Sequence, residues 1–353
     1  MQPLEINLDL IPTSRFQLID VSERVREEAG DALDCFQKAV YCSWHTTAGY
    51  LEQGFCARLG HSRKQLAPFF GILQRIFPHD AGYFHDRMQL RDELSDSQKQ
   101  TEPVNADSHL TFMSAGLKNC VTYLHKPDQP VYFVELDGIY KDLVRRRRTT
   151  VLGYNTEQVV HRERLALPVA ADQPIESHNL KDPRYGLFQQ FEEWLDRFEI
   201  DKGRIEIRLA PGEKNAGLIV NEYETLLIRK DLPDVLADPL RYMVRRSRKL
   251  LRRPSPIPER TRDYDSYDLI RLYNEFMDIL PTGRSVVDRI ISVLSTPAYR
   301  LLLKRSISLL VSSSSETGAQ RIVQGTYQSP ILVEHHRPEW GVRHLDVTVS
   351  RFA

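Results

Sequence analysis

Two stretches constrain the fold more than anything else in the chain, because they read as two versions of one strand and turn. KAVYCSWHTTAGYLEQG begins at Lys38, and GRIEIRLAPGEKNAGLIVNE begins at Gly203. Laid over each other, Ala48-Gly49 falls on Ala216-Gly217, His45-Thr46-Thr47 on Glu213-Lys214-Asn215, and Gln53-Gly54 on Asn221-Glu222. A helical pattern precedes each stretch. VSERVREEAGDAL, from Val21, has apolar residues at helical spacing with Ser22 as the expected N-cap, and YGLFQQFEEWLDRFEI, from Tyr185, is amphipathic. A late apolar strand follows each: DQPVYFVELDG from Asp128 and YQSPILVEHHR from Tyr327, which set Gln129 over Gln328 and Glu135 over Glu334.

Helix, strand, turn and late strand thus recur in one order, and the expected architecture is α+β: two tandem β-sandwich domains with flanking helices. The expected domains are 1–172 and 173–353, divided where AADQPIESHNLKDP has linker composition. The second copy reads as degenerate and carries a helical insertion near 232–294, with the basic run Arg241, Arg245, Arg246, Arg248, Lys249, Arg252 and Arg253. A chain of 353 residues is too long for one small core, which suits two domains.

Forty-eight basic residues balance forty-eight acidic ones, so no global field draws the chain to nucleic acid or membrane. The basic run has no nucleic-acid motif around it and reads first as a solvated helix, which ranks nucleic acid behind other partners. The apolar segment from Ile290 to Val311 is broken by Pro297, Arg300, Lys304 and Arg305, so no membrane span is expected. No basic start with an apolar run opens the chain, and the four cysteines form no C-x-x-C pair. The expectation is a cytoplasmic protein with reduced thiols.

Three histidines stand in settings that look placed. His45 ends a strand, His85 sits in AGYFHDR, and His109 follows the turn chemistry of NADS. Glu135 lies inside an apolar strand, where an unpaired carboxylate costs several kcal/mol and so requires a partner. Three imidazoles and an open position suit a transition metal acting on water or on a phosphate oxygen. The plainer alternative for each histidine is a surface or hydrogen-bonded core role; His61, His125, His161, His178, His335, His336 and His344 are read that way outright. Thr46 and Thr47 are either β-formers or hydroxyl donors to a phosphate. In Arg145 to Arg148 alternate side chains point to opposite faces, giving either a phosphate clamp or a solvated strand edge.

At these residues the first half resembles the YjbQ-type family, also called the secondary thiamine-phosphate synthase family. The resemblance rests on His45-Thr46-Thr47-Ala48, Tyr83-Phe84-His85-Asp86, Asn105-Ala106-Asp107-Ser108-His109, and Glu135-Leu136-Asp137-Gly138 followed by the arginines. The family's Asn-Glu and Gly-Thr-Trp-Gln motifs are absent from the first half. The second half supplies counterparts, Asn221-Glu222 and Gly325-Thr326-Tyr327-Gln328.

The resemblance implies a YjbQ-like α+β domain, usually trimeric, with a metal-associated polar pocket and thiamine-phosphate-synthase-like activity, either as its main role or secondary to another. Carried onto this chain, the catalytic set is His45, His85, His109, Asp107 and Glu135, the last two orienting the histidines. The substrate and phosphate set is Thr46, Thr47, Asn105, Arg145, Arg147, Asn221 and Glu222. The metal set is His45, His85 and His109, with zinc or manganese ahead of magnesium, because magnesium prefers oxygen ligands. Three functions follow as expectations: a metal-dependent enzyme acting on a small phosphorylated molecule, a phosphate- or metal-binding module without turnover, and a binder of nucleic acid or an acidic partner through the basic insertion. A homo-oligomer is compatible with each. The second half either completes a composite site or replaces a lost oligomer contact.

Overall fold

Period-two burial shows why the strands lie where they do. In Lys202–Leu209 the side chains of Ile205, Ile207 and Leu209 are buried, while Glu206 and Arg208 between them face outward. In Lys38–Ser43 both faces are covered, as expected of a central strand. The structure, a computed structural model, describes residues 1–92, 94–169, 176–223, 227–237, 303–313, 321–334 and 341–353. It divides into two compact units. The first comprises Met1–Gly54, Gly116–Tyr223 and Leu303–Ala353, and the second Phe55–Ala115 and Glu224–Leu302. The first unit takes its sheets from both halves of the sequence.

The strands of the first unit are β1 (Leu4–Leu10), β2 (Gln17–Asp20), β3 (Lys38–Ser43), β4 (Ala48–Gly49), β5 (Cys120–Leu124), β6 (Tyr132–Glu135), β7 (Ile139–Tyr140), β8 (Leu143–Val144) and β9 (Arg147–Tyr154), then β10 (Glu157–Pro168), β11 (Glu176–Asn179), β12 (Lys202–Leu209), β13 (Ala216–Asn221), β14 (Ser306–Ser312), β15 (Ile322–Val323), β16 (Ser329–Glu334) and β17 (Val342–Phe352). The earlier strands form sheets β1-β9-β3-β5 and β2-β6-β4, with β7 and β8 as a separate hairpin. The later ones form β10-β17-β12-β14-β15 and β11-β16-β13. The fold is mixed α+β with antiparallel sheets, and one strand order occurs twice. The register agrees as well. Ala48 pairs with Glu135 and Ala216 with Glu334, while Leu10 pairs with Arg147 and Leu167 with Arg343.

The helix Val21–Ala29 is capped by Asp20 rather than by the expected Ser22. Asp20 has extended backbone and its Oδ1 accepts the Glu23 N–H, whereas Ser22 lies within the first turn and donates its hydroxyl to the same carboxylate. The amphipathic helix Leu187–Arg197 buries Leu187, Phe191, Trp194 and Leu195 against the later sheets. A second apolar cluster joins Val40, Cys42, Cys120, Leu152 and Tyr154 to Leu310, Val323 and Phe352, so side chains from the two large sheets meet in one core. Tyr154 and Phe352 stack there at 4.0 Å between ring centroids, a pairing worth about 1 kcal/mol beyond the area it buries.

The second unit is helical where described. Arg63–Ile76 buries Leu66, Phe69, Phe70 and Leu73 along one stripe. Ala106–Ser114 is buried on all sides from Ala106 to Met113. Asp96–Thr101, Leu232–Ala237, a 3-10 turn at Met88–Leu90 and a π-helical turn at Leu227–Asp231 also belong to it. No helix among the described residues is long and apolar enough to cross a membrane. The basic run from Arg241 to Arg253, both expected helices of the insertion, His335, His336 and linker residues 170–175 lie outside the described residues.

Candidate functional site

In the first unit the partner that Glu135 requires is Arg147. Both are buried, and the guanidinium grips the carboxylate with two bonds: Nε to Oε2 at 2.5 Å and Nη2 to Oε1 at 2.8 Å. Burial pushes the Glu135 carboxyl above its ordinary range while Arg147 opposes the shift. Arg147 also donates to the Asp137 carbonyl at 2.9 Å and to Thr47 Oγ1 at 3.3 Å. Its guanidinium is thus engaged by protein acceptors, and it acts as Glu135's counter-ion rather than as a free clamp. Asp137, also fully buried, receives Arg145 and, at 3.3 Å, Arg15. Arg146 is exposed, and Arg148 lies 4.6 Å over the Trp44 ring. Arg145 and Arg147 therefore turn toward carboxylates.

His45 sits inside this arginine network. Its Nε2 accepts the Arg148 backbone N–H at 2.7 Å, and its Nδ1 lies 3.5 Å from Arg147 Nη1. An imidazole that accepts at Nε2 is neutral and carries its proton on Nδ1. Burial first, then Arg147 and Arg145, pull its pKa down to about 3. The turn is held from the other half of the sequence: Gln328 Nε2 donates to the carbonyls of Ser43 and His45, each at 2.9 Å. Gly325 packs so tightly on this turn that a Cβ would lie 1.9 Å from the Trp44 carbonyl oxygen.

The same constellation recurs with one change. Arg343 Nε donates to Glu334 at 2.6 Å, as Arg147 does to Glu135. Where His45 accepts the N–H after the arginine, Glu213 Oε1 accepts the His344 N–H at 2.8 Å, and its Oε2 also binds Arg343 Nη1 at 2.8 Å. His178 is engaged as well, 3.2 Å from Glu334 Oε2 and 3.1 Å from the Tyr185 hydroxyl. Asn221 and Glu222 are buried at the end of β13, where the Glu222 N–H donates to Asn221 Oδ1 at 2.7 Å.

The second unit brings His85 and His109 together. Both are fully buried, with ring centroids 5.2 Å apart and planes at 73°. His109 and Asp107 come from the helix Ala106–Ser114. His85 comes from the preceding segment, fixed by Asp231, whose carboxylate accepts the backbone N–H of Phe84 at 3.1 Å and of His85 at 2.9 Å. Asp86 Oδ1 takes the N–H groups of Asn105 and Ala106 at the helix start, at 3.1 and 3.0 Å. Burial pushes Asp86 up to about 7, helped by Asp107 and Asp231.

His85 Nε2 lies 3.1 Å from Asn105 Oδ1. That carbonyl oxygen only accepts, so Nε2 holds the proton and Nδ1 presents its lone pair. Nδ1 is buried and has no hydrogen-bond partner among the described residues. Burial first, then Arg91, lower the His85 pKa to about 3, so the ring is neutral at physiological pH.

Of the three expected ligands, His85 and His109 thus share one site in the second unit, whereas His45 is an acceptor within the first. Glu135 orients Arg147 and not a histidine. Asp107 meets a further histidine, His79, whose Nδ1 lies 3.3 Å from Asp107 Oδ1. His79 has a signal in the sequence, since His79-Asp80 and His85-Asp86 repeat one dipeptide six residues apart. Asp231 had no signal at all, because it lies far along the chain from the histidines it supports.

No family model matches the chain, and no curated protein does. Among solved structures it is similar to a hypothetical protein from Aeropyrum pernix K1, at 14% identity over 54% of this chain and 98% of that one, with a TM-score of 0.28. A YbjQ-like protein of unknown function from Sulfolobus solfataricus P2 matches at 15% identity over 56% and 99% of the two chains, TM-score 0.29. An uncharacterized conserved protein of the yjbq/upf0047 family from Clostridium acetobutylicum matches at 11% over 53% and 98%, TM-score 0.25.

Proposed function

We propose that the chain is a metal-dependent enzyme acting on a small phosphorylated molecule, with the His85–His109 pair of the second unit as its centre. One observation carries the reading: the Nδ1 lone pair of His85, buried, neutral and without a partner among the described residues, beside a second buried imidazole. A lone pair so placed costs desolvation without return unless a ligand takes it. His85 and His109 would hold the metal, and the donor set favours zinc or manganese over magnesium. When bound, such an ion would polarise a phosphate oxygen or a water molecule.

The rest of the work falls to the chain's own groups. Asn105 fixes the His85 tautomer through Nε2, Asp231 fixes its backbone, and the buried helix Ala106–Ser114 keeps water from the rings. The recurrence of strand order and register supports reading the chain as a tandem duplication, with Glu213 in the seat of His45 in the degenerate copy.

The test is metal content by plasma mass spectrometry for the wild-type chain, His85→Ala and His109→Ala. It is paired with turnover of a panel of phosphorylated small molecules that includes the substrates of thiamine phosphate synthesis. Near-stoichiometric zinc or manganese that either substitution removes, together with turnover, is the expected result. Metal without turnover would leave a binding module. Equal metal content in all three proteins would end the metal reading.

A further inference from the structure

Outside both polar clusters, two buried thiols face each other across a strand pair. Cys42 of β3 is the register partner of Cys120 of β5. The neighbouring pair is closed by a hydrogen bond from the Ser43 N–H to the Asn119 carbonyl at 2.7 Å. Hydrogen-bonded and non-hydrogen-bonded pairs alternate along an antiparallel ladder, so Cys42 and Cys120 occupy the closer kind, with Cα atoms about 4.5 Å apart. That spacing lies inside the span a disulfide accepts, about 4.4 to 6.8 Å. Cys42 Sγ lies 3.9 Å from the Val323 carbonyl, to which it donates.

We propose that Cys42 and Cys120 are an oxidation site, a cross-strand dithiol that a low-molecular-weight disulfide converts into an intramolecular disulfide. The thiolate of Cys120 attacks one sulfur of the reagent, which forms a mixed disulfide and expels one small thiolate. Cys42, deprotonated in turn, attacks Cys120 Sγ and expels the second. The two departing thiolates take up the two protons the cysteines lose, so one protein disulfide forms as one reagent disulfide is reduced to two thiols.

Cys120 suits the attacking role. The neighbouring Cys42 draws its pKa down against the effect of burial, and Arg204 and Lys118 add to the pull. It is the first residue of β5, which is the edge strand of its sheet, so reaching it does not require loss of the central β3. Two thiols filling space as small apolar groups would not need the matched register. The bond would also form one residue from the His45 turn, because Asn119 Nδ2 donates to the His45 carbonyl.

The experiment treats the full native chain with oxidised glutathione and maps disulfides by peptide mass spectrometry. Exposed Cys35 serves as an internal control for reagent activity. A Cys42–Cys120 linked peptide, with loss of two hydrogens from the intact mass apart from any glutathione adduct, is the expected result. It should persist in the Cys35→Ser/Cys56→Ser chain and vanish in Cys120→Ala. The proposal is overturned if Cys35 is modified while Cys42 and Cys120 remain alkylatable after unfolding, or if either pairs with another cysteine instead. The mapping needs no variant, so misfolding of Cys120→Ala would not obscure it.

Discussion

Replacing His45 with glutamine should change how stability depends on pH, in a direction and amount that its surroundings set. The imidazole accepts the Arg148 N–H, lies beside Arg147, and is held to a pKa of about 3 by burial and by Arg147 and Arg145. In the unfolded chain a histidine titrates near 6.5. Above that value both states are neutral at this position and it adds no pH dependence. Below it the unfolded state takes up a proton that the folded state refuses, so stability is lost as pH falls from the unfolded value toward the folded one. Between pH 7 and pH 5 the loss from this one group is about 1 to 2 kcal/mol.

Glutamine offers an oxygen to the same backbone N–H and does not titrate, so His45→Gln should lack that loss. Urea unfolding of both proteins at pH 5, 6, 7 and 8, with a chelator present throughout, measures it. The difference between their unfolding free energies should be constant above pH 7 and shift in the variant's favour below pH 6. Two curves that stay parallel down to pH 5 would refute a neutral, acceptor His45.

Other consequences follow from the same contacts. Arg147→Met strands a buried carboxylate and should cost about 3 to 5 kcal/mol by denaturant titration, whereas Glu135→Gln/Arg147→Met together should cost less. Gly325→Ala forces a Cβ to within 1.9 Å of the Trp44 carbonyl and should lower the thermal midpoint by several degrees, whereas Gly212→Ala, with nothing within 4 Å, should leave it unchanged. Asp20→Ala removes the side-chain cap of Val21–Ala29 and should cost about 1 kcal/mol. His45→Glu should be tolerated far better than His45→Leu in the same titration, because Glu213 already fills the equivalent seat.

The strands were legible because they rest on local pattern. Alternation marks Lys202–Leu209, where buried and outward side chains take turns. The need of Glu135 for a partner was legible too, since a carboxylate in an apolar strand is too costly alone. Which cation would meet it was not. Arg145 and Arg147 share a parity, and only the three-dimensional path shows one on Asp137 and the other on Glu135. His79 and Asp231 escaped for a related reason: their partners, Asp107 and the His85 backbone, are distant in sequence and nothing local marks the pairing. Residue type alone does not separate Ser22 from Asp20 as a cap, because both have the chemistry, and Asp20 stands where the backbone turns.

What His45 contributes is set by a contact that Glu213 makes as well. Each directs a lone pair at the backbone N–H that follows a buried arginine, His45 at Arg148 and Glu213 at His344. What differs is charge. Arg147 meets the Glu135 carboxylate beside a neutral ring, and Arg343 meets two carboxylates, Glu334 and Glu213. Imidazole and carboxylate share little chemistry beyond a lone pair of suitable reach, so the requirement that both side chains meet is to accept a backbone hydrogen bond.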